Sequence, residues 1–100
     1  MLAKILIKRQ FKSGKEKEIL SLLNKLRSIA MQQPGYVSGL TMSAPEDANN
    51  MMVISTWQSL EDWHAWQANT ERNNLEAMLE IYQHKPTEYQ EYVVGFNPSG

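Results

Sequence analysis

The chain has 100 residues, 42% hydrophobic and 21% charged, which fits a single globular domain with its core in 2–96 and a tail at 97–100. It contains no cysteine, so disulfides, thiolate metal sites and thiol nucleophiles are excluded. A net charge of −1 conceals eight Lys/Arg against two Glu in residues 1–30, and two against nine acidic residues in 31–100. No aromatic residue is interleaved in the lysine run from Lys8 to Lys17, so it reads as a solvated strand edge and helix face, with no nucleic-acid partner expected.

Residues 2–11 alternate, placing Ala3, Ile5, Ile7, Arg9 and Phe11 on one face, which predicts a half-buried strand. Ser13 offers a cap for a helix over 15–31, whose apolar stripe runs through Ile19, Leu22, Leu23, Leu26 and Ile29. Pro34-Gly35 ends that helix, and residues 36–42 read as a second strand. Residues 43–50 form a polar Pro/Asp/Asn turn, and residues 51–57 a third strand, giving a hairpin. Ser59 with Asp62 predicts a capped helix start carrying Leu60, Trp63 and Trp66, with a break near Asn69-Thr70. The helix resumes through Leu75, Met78, Leu79 and Tyr82 and stops before Pro86, and residues 89–96 form a fourth strand. The longest purely aliphatic or Met run, Met51 to Ile54, is far short of the ~18 residues of a membrane helix. Lysines interrupt the N-terminal apolar stretch, so a soluble cytoplasmic protein with no membrane partner is expected.

The order β-α-β-β-α-β is the α+β, ferredoxin-like arrangement with an antiparallel sheet. Two helices cover one face of such a sheet. The fourth strand puts Tyr92 and Val94 on one side and Val93 and Gly95 on the other, so both faces demand burial and a sheet-to-sheet homodimer is expected.

Several residues are candidates for chemistry. Arg9 lies on the apolar face of its strand, where an unpaired charge is expensive, so it must find an acidic partner, a ligand or solvent. Trp63 and Trp66 share a helical face and either fill the core or stack on a flat aromatic ligand. His64 is a candidate general base at a pocket mouth. Ser55, Asn69, Asn73, Tyr82 and Tyr36 are candidate substrate-orienting groups. Glu61-x-x-His64 has the spacing of half a carboxylate metal site, but no second motif accompanies it and no metal is expected.

The stretch from Val53 through Trp57 and Ser59 to Trp66 resembles the antibiotic biosynthesis monooxygenase family, as do Pro34-Gly35-Tyr36 and Asn69-Thr70-Glu71-Arg72. The resemblance implies a dimeric α/β barrel. It also implies one of two chemistries, cofactor-independent oxygenation of quinols or anthrones, or haem binding and degradation. Haem-degrading members use an Asn, a Trp and a His; here these positions fall on Ile7, Trp66 and near Glu76, so haem is disfavoured. Quinol-oxidising members often carry His where this chain has Trp66 and Thr70. The expected pocket is lined by Ile5, Ile7, Leu22, Leu26, Trp63, Trp66 and Tyr82. The leading expectation is a monooxygenase without cofactor, acting with O2 on a small aromatic or quinol-like molecule. Trp66, Arg9 and His64 are its catalytic candidates, and Ile7, Trp63, Tyr82, Leu26 and Asn73 its binding candidates. The alternatives are a haem protein and a non-catalytic ligand-binding dimer.

Overall fold

The computed structural model describes residues 1–95; Phe96 of the predicted fourth strand and the predicted tail lie outside the described residues. The elements are β1 (Ala3–Gln10), α1 (Glu16–Ala30), β2 (Tyr36–Ala44), β3 (Asp47–Trp57), α2 (Leu60–Gln67), α3 (Thr70–Glu80) and β4 (Glu88–Val93). The strands form one antiparallel sheet in the order β2-β3-β1-β4. This is the predicted α+β, ferredoxin-like order, with the second helix split in two.

The alternation in β1 decides which face is covered. Ala3, Ile5, Ile7 and Arg9 are all buried, and they pair across to Trp57, Ser55, Val53 and Met51 of β3. The helices lie over this face, and Trp57, Trp63, Ile5 and Leu79 are its most completely buried large side chains. Three tryptophans meet there. Trp57 stacks on Trp66 at 6.3 Å and tilts against Trp63 at 6.0 Å, geometry that aromatic quadrupoles favour over a face-to-face sandwich. The indole N–H of Trp57 donates to Ser55 Oγ at 2.8 Å, so burial leaves no orphan donor on that ring.

Helix starts are set by local side chains. Ser59 accepts the Asp62 N–H at 3.1 Å and donates its hydroxyl to the Asp62 carboxylate at 3.0 Å, the predicted cap of α2. Ser59→Ala is therefore expected to cost about 1 kcal/mol in urea unfolding. Asn69 does the same for α3, its Oδ1 accepting the Arg72 N–H at 2.9 Å, which explains the break between the two helices. Gly35, at φ +82°, turns the chain into β2 beside Asp62; a Cβ there would overlap the Asp62 carboxylate.

Four expectations are corrected. Ser13 does not cap α1: the cap residue is Lys15, without a side-chain bond, and Ser13 Oγ instead accepts from Asn49 Nδ2 at 3.1 Å. The polar stretch 43–50 is mostly strand, with only Pro45-Glu46 between β2 and β3. Its Asn residues extend β3 because they pair with the end of β1: Asn50 opposes Gln10, and Asn49 C=O accepts the Phe11 N–H at 2.9 Å. The inner face of α3 is not the all-apolar stripe expected. Arg72 and Leu79 are buried there, whereas Met78 is half exposed. Finally, α3 ends at Glu80, so Tyr82 follows the helix instead of completing its stripe.

Among the described residues no helix lies over the other face of the sheet. Leu40 of β2 lies in one row with Ile54 and Leu6, and Leu40, Met42, Tyr92 and Val94 are all exposed. Among the described residues no helix is long and apolar enough to cross a membrane.

Candidate functional site

A cavity of about 320 Å³ opens between the covered face of the sheet and the helices. Its floor is Ile7, Met51, Val53 and Ser55 from the two central strands. Leu23 and Leu26 of α1 and Trp63 and Trp66 of α2 form the roof, and Tyr36, Gly39 and Thr41 of β2 form one side. Arg9, Arg72 and Glu76 contribute the charged part of the lining, with Arg27 at the α1 side. An apolar, aromatic-walled cleft with a few convergent polar groups is the usual character of a small-molecule site.

The charged end is tightly built. Arg9 Nη1 and Nη2 donate to the two oxygens of Glu76 at 2.7 and 2.6 Å, and Nη1 also reaches Thr87 Oγ1 at 3.1 Å. This is a bidentate pair with both side chains nearly buried, 5% and 12% exposed. Burial works against the Arg9 charge, but the hydrogen bond and charge of Glu76 outweigh it and raise the guanidinium above its ordinary pKa. Arg9 Nε is buried with no described partner.

Arg72 occupies the next turn. Its Nη2 donates to the Tyr89 hydroxyl at 2.6 Å and its Nη1 to Asn73 Oδ1 at 2.8 Å and Gln67 C=O at 3.4 Å. The guanidinium also sits 5.7 Å over Trp63 and 5.5 Å over Tyr89. Glu76 Oε1 is 4.0 Å away. Burial, aided by Glu76, pushes the Tyr89 phenol up against the pull of the two arginines, which keeps it a neutral acceptor. Two guanidiniums thus share one carboxylate, and this end of the cavity carries surplus positive charge.

Of the predicted site residues, the structure brings Arg9, Ile7, Leu26, Trp63 and Trp66 to one cavity. His64, Asn73 and Tyr82 do not line it. His64 follows Trp63 on α2 and turns outward, where its Nε2 pairs with Glu91 at 3.0 Å. Glu91 in turn accepts the Trp63 indole N–H at 2.9 Å. Asn73 follows Arg72 and serves as its acceptor. Tyr82 is tied to the end of β1, its carbonyl accepting the Lys12 N–H at 2.7 Å. Ile5 and Leu22, also expected in the lining, are packed into the core instead. Among the five orienting candidates, Ser55 and Tyr36 line the cavity and Asn69, like Asn73 and Tyr82, does not.

Arg72 and Glu76 were missed as site residues. The available signal was spacing: with Leu75 and Leu79 they fall at i, i+3, i+4 and i+7, one face of a helix. Among the described residues no imidazole lines the cavity, and Glu76, its one carboxylate, is bound to Arg9, so this lining offers a haem iron no nitrogen ligand. Among the described residues no group of three or more potential ligands could hold a metal ion.

The family model described as Antibiotic biosynthesis monooxygenase matches residues 3–78. Among solved structures the chain is similar to a conserved protein from Methanosarcina mazei Go1 (TM-score 0.85, 16% identity, covering 92% of this chain and 91% of that one). It is also similar to SnoaB, a cofactor-independent oxygenase from Streptomyces nogalater (TM-score 0.83, 13% identity, 99% and 98% covered). A third similar structure is Rv0793 from Mycobacterium tuberculosis (TM-score 0.84, 9% identity, 99% and 100% covered). At these identities the likeness is one of fold. The search of curated proteins finds no match.

Proposed function

The chain belongs to the antibiotic biosynthesis monooxygenase family, and from that premise we propose that it is a cofactor-independent monooxygenase of an aromatic or quinol-like small molecule. The observation that carries this reading is the surplus guanidinium charge at one end of an aromatic-walled cavity. Such a site favours the enolate or phenolate form of a substrate, because fixed cations in a cleft with little water act at low effective dielectric. The similar fold of SnoaB, described as a cofactor-independent oxygenase, supports the same reading.

The chemistry follows from the bound anion. A ring CH2 conjugated with the oxygen-bearing carbon loses one proton to solvent water to give an enolate, whose electron-rich carbon forms a C–O bond to O2. The resulting peroxide anion takes up a proton. Loss of the remaining C–H proton and cleavage of the O–O bond leave a ring carbonyl and water. The substrate supplies all four electrons, so no external reductant enters. Arg9 and Arg72 hold the anion, and Trp63 and Trp66 hold the ring. Glu76 serves as the clamp between the arginines and not as the base.

Oxygen uptake with a panel of anthrones and quinols, after exhaustive metal chelation, tests the proposal. The expected result is one O2 consumed per substrate, with one labelled oxygen atom from dioxygen in the product. Uptake that disappears on chelation, or is absent across the panel, overturns it. Ring binding without uptake assigns the non-catalytic ligand-binding dimer.

We also propose that the uncovered sheet face packs against a second copy of the chain. Its row of Leu40, Ile54 and Leu6 with exposed Met42, Tyr92 and Val94 is the apolar surface involved. Sedimentation should give a dimer for the wild type and a monomer for Leu40→Asp, and a monomeric wild type would remove this part of the reading.

A further inference from the structure

Among the described residues the cavity opens on one side. Of those that line it, only Leu20, Asn24, Arg27 and Thr41 are exposed, and the rest are buried or half-buried. Leu20, Asn24 and Arg27 fall at i, i+4 and i+7 on α1, which is one helical face. Thr41 shares its side of β2 with Gly39, because a strand alternates with period 2. The mouth is therefore the gap between α1 and β2, an edge strand of the sheet.

One side chain bridges that gap. Arg27 Nη2 donates to the Gly39 carbonyl at 3.3 Å, and among the described residues this is the only hydrogen bond between α1 and β2. Nothing anchors the guanidinium more firmly. It makes no ion pair among the described residues, and residues 19–45, which supply both rims of the mouth, contain no Asp or Glu. Arg9, held by both oxygens of Glu76, is the opposite case. An exposed side chain on one long hydrogen bond changes rotamer in picoseconds to nanoseconds. Beside it Gly39 has no side chain to narrow the gap, and a Cβ there would stand 3.0 Å from the Tyr36 hydroxyl. Its φ is not positive, so the backbone geometry that demands glycine at Gly35 is absent here.

We infer that small molecules enter and leave the cavity between α1 and β2, and that Arg27 is the gate on this route, shut when its guanidinium lies on the Gly39 carbonyl. Swinging outward breaks one exposed hydrogen bond and no ion pair, so opening costs little. Swinging back covers the occupant and keeps bulk water off the cavity. Gly39 is the fixed half of the gate, and its missing side chain sets the width of the opening. The inference concerns access, so it goes beyond the proposed chemistry and applies to any occupant.

Collisional quenching of tryptophan fluorescence by acrylamide tests the inference on the full chain without turnover. Trp63 and Trp66 are 1% and 5% exposed and form part of the cavity wall, so they report a quencher that has passed the mouth. Acrylamide is neutral, and loss of the Arg27 charge leaves its approach unaltered. Arg27→Ala should raise the bimolecular quenching constant at least about twofold, since loss of one exposed hydrogen bond shifts an open–closed equilibrium by roughly two- to tenfold. Gly39→Val should lower the constant below the wild-type value, with Gly39→Ala in its place if valine prevents folding. Lys25→Ala removes a cation from α1 that does not line the cavity, and should change nothing. Arg27→Ala and Lys25→Ala should both keep the wild-type urea midpoint. An unchanged or lower constant in Arg27→Ala, an unchanged or higher one in the Gly39 variant, or an equal rise in Lys25→Ala overturns the inference. So does a rise in Arg27→Ala that comes with a lower urea midpoint, because the chain has then loosened as a whole. Oxygen uptake plays no part in the result, so the gate and the monooxygenase reading fail separately.

Discussion

Glu76→Ala is expected to destabilise the fold by about 3–5 kcal/mol, read as a lower urea midpoint with an unchanged m-value. The reason is not the value of the ion pair itself. Glu76 is the carboxylate for two guanidiniums that are almost wholly buried, and its removal leaves Arg9 with only Thr87. Stranding a buried charge costs far more than an exposed pair contributes, and a loss under about 1 kcal/mol would mean that water reaches the pair as it does on a surface. Removing both members tests the same logic from the other side. Arg9→Met with Glu76→Leu should recover the share of the lost stability owed to Arg9, since a volume-matched apolar pair carries no desolvation penalty, while Arg72 still loses the carboxylate 4.0 Å away. Arg72 keeps its stacking on Trp63 and Tyr89 in that variant, so its own hydrogen bonds survive. If that share of stability returns but oxygen uptake does not, the pair is present for function.

The same cluster shows what could be read in the sequence and what could not. Arg9 was visible because a strand alternates with period 2, so a charge between Ile7 and Phe11 on the apolar side stands out without any knowledge of its partner. Glu76 and Arg72 were hidden by a bias toward apolar residues. A stripe through Leu75, Met78, Leu79 and Tyr82 satisfies helical spacing equally well, yet the helix turns Met78 outward and buries Arg72. Only the tertiary pairing, Arg9 with Glu76 across 67 positions, makes the charged face the inner one. Non-local pairing also defeated the reading of 43–50 as a turn. Asn49 and Asn50 are poor strand formers by composition, and they join the ladder because the end of β1 lies opposite. Local signals with local partners fared better: the Ser59–Asp62 cap and the break at Asn69 are both where spacing placed them.

Trp66 carries the second large prediction, because it is both core and cavity wall. It is 5% exposed and stacked on Trp57, so Trp66→Ala is expected to lose about 3–5 kcal/mol of stability through the void it leaves. Loss of activity in that variant would therefore say nothing about a role in binding. Trp66→Phe and Trp66→Leu separate the two roles. Both fill part of the volume and should give cooperative unfolding with a smaller loss, but only Phe keeps an aromatic face between Trp57 and the cavity. If the ring holds the substrate by stacking, Trp66→Leu should lower kcat/KM for oxygen uptake at least about tenfold, and Trp66→Phe by clearly less. Equal kinetics for Phe and Leu would make Trp66 a packing residue, and the ring would then rest on Trp63. That outcome is structurally coherent, because Trp63 is fixed at both ends of its contact surface, by Glu91 at the indole N–H and by the Arg72 guanidinium over its face.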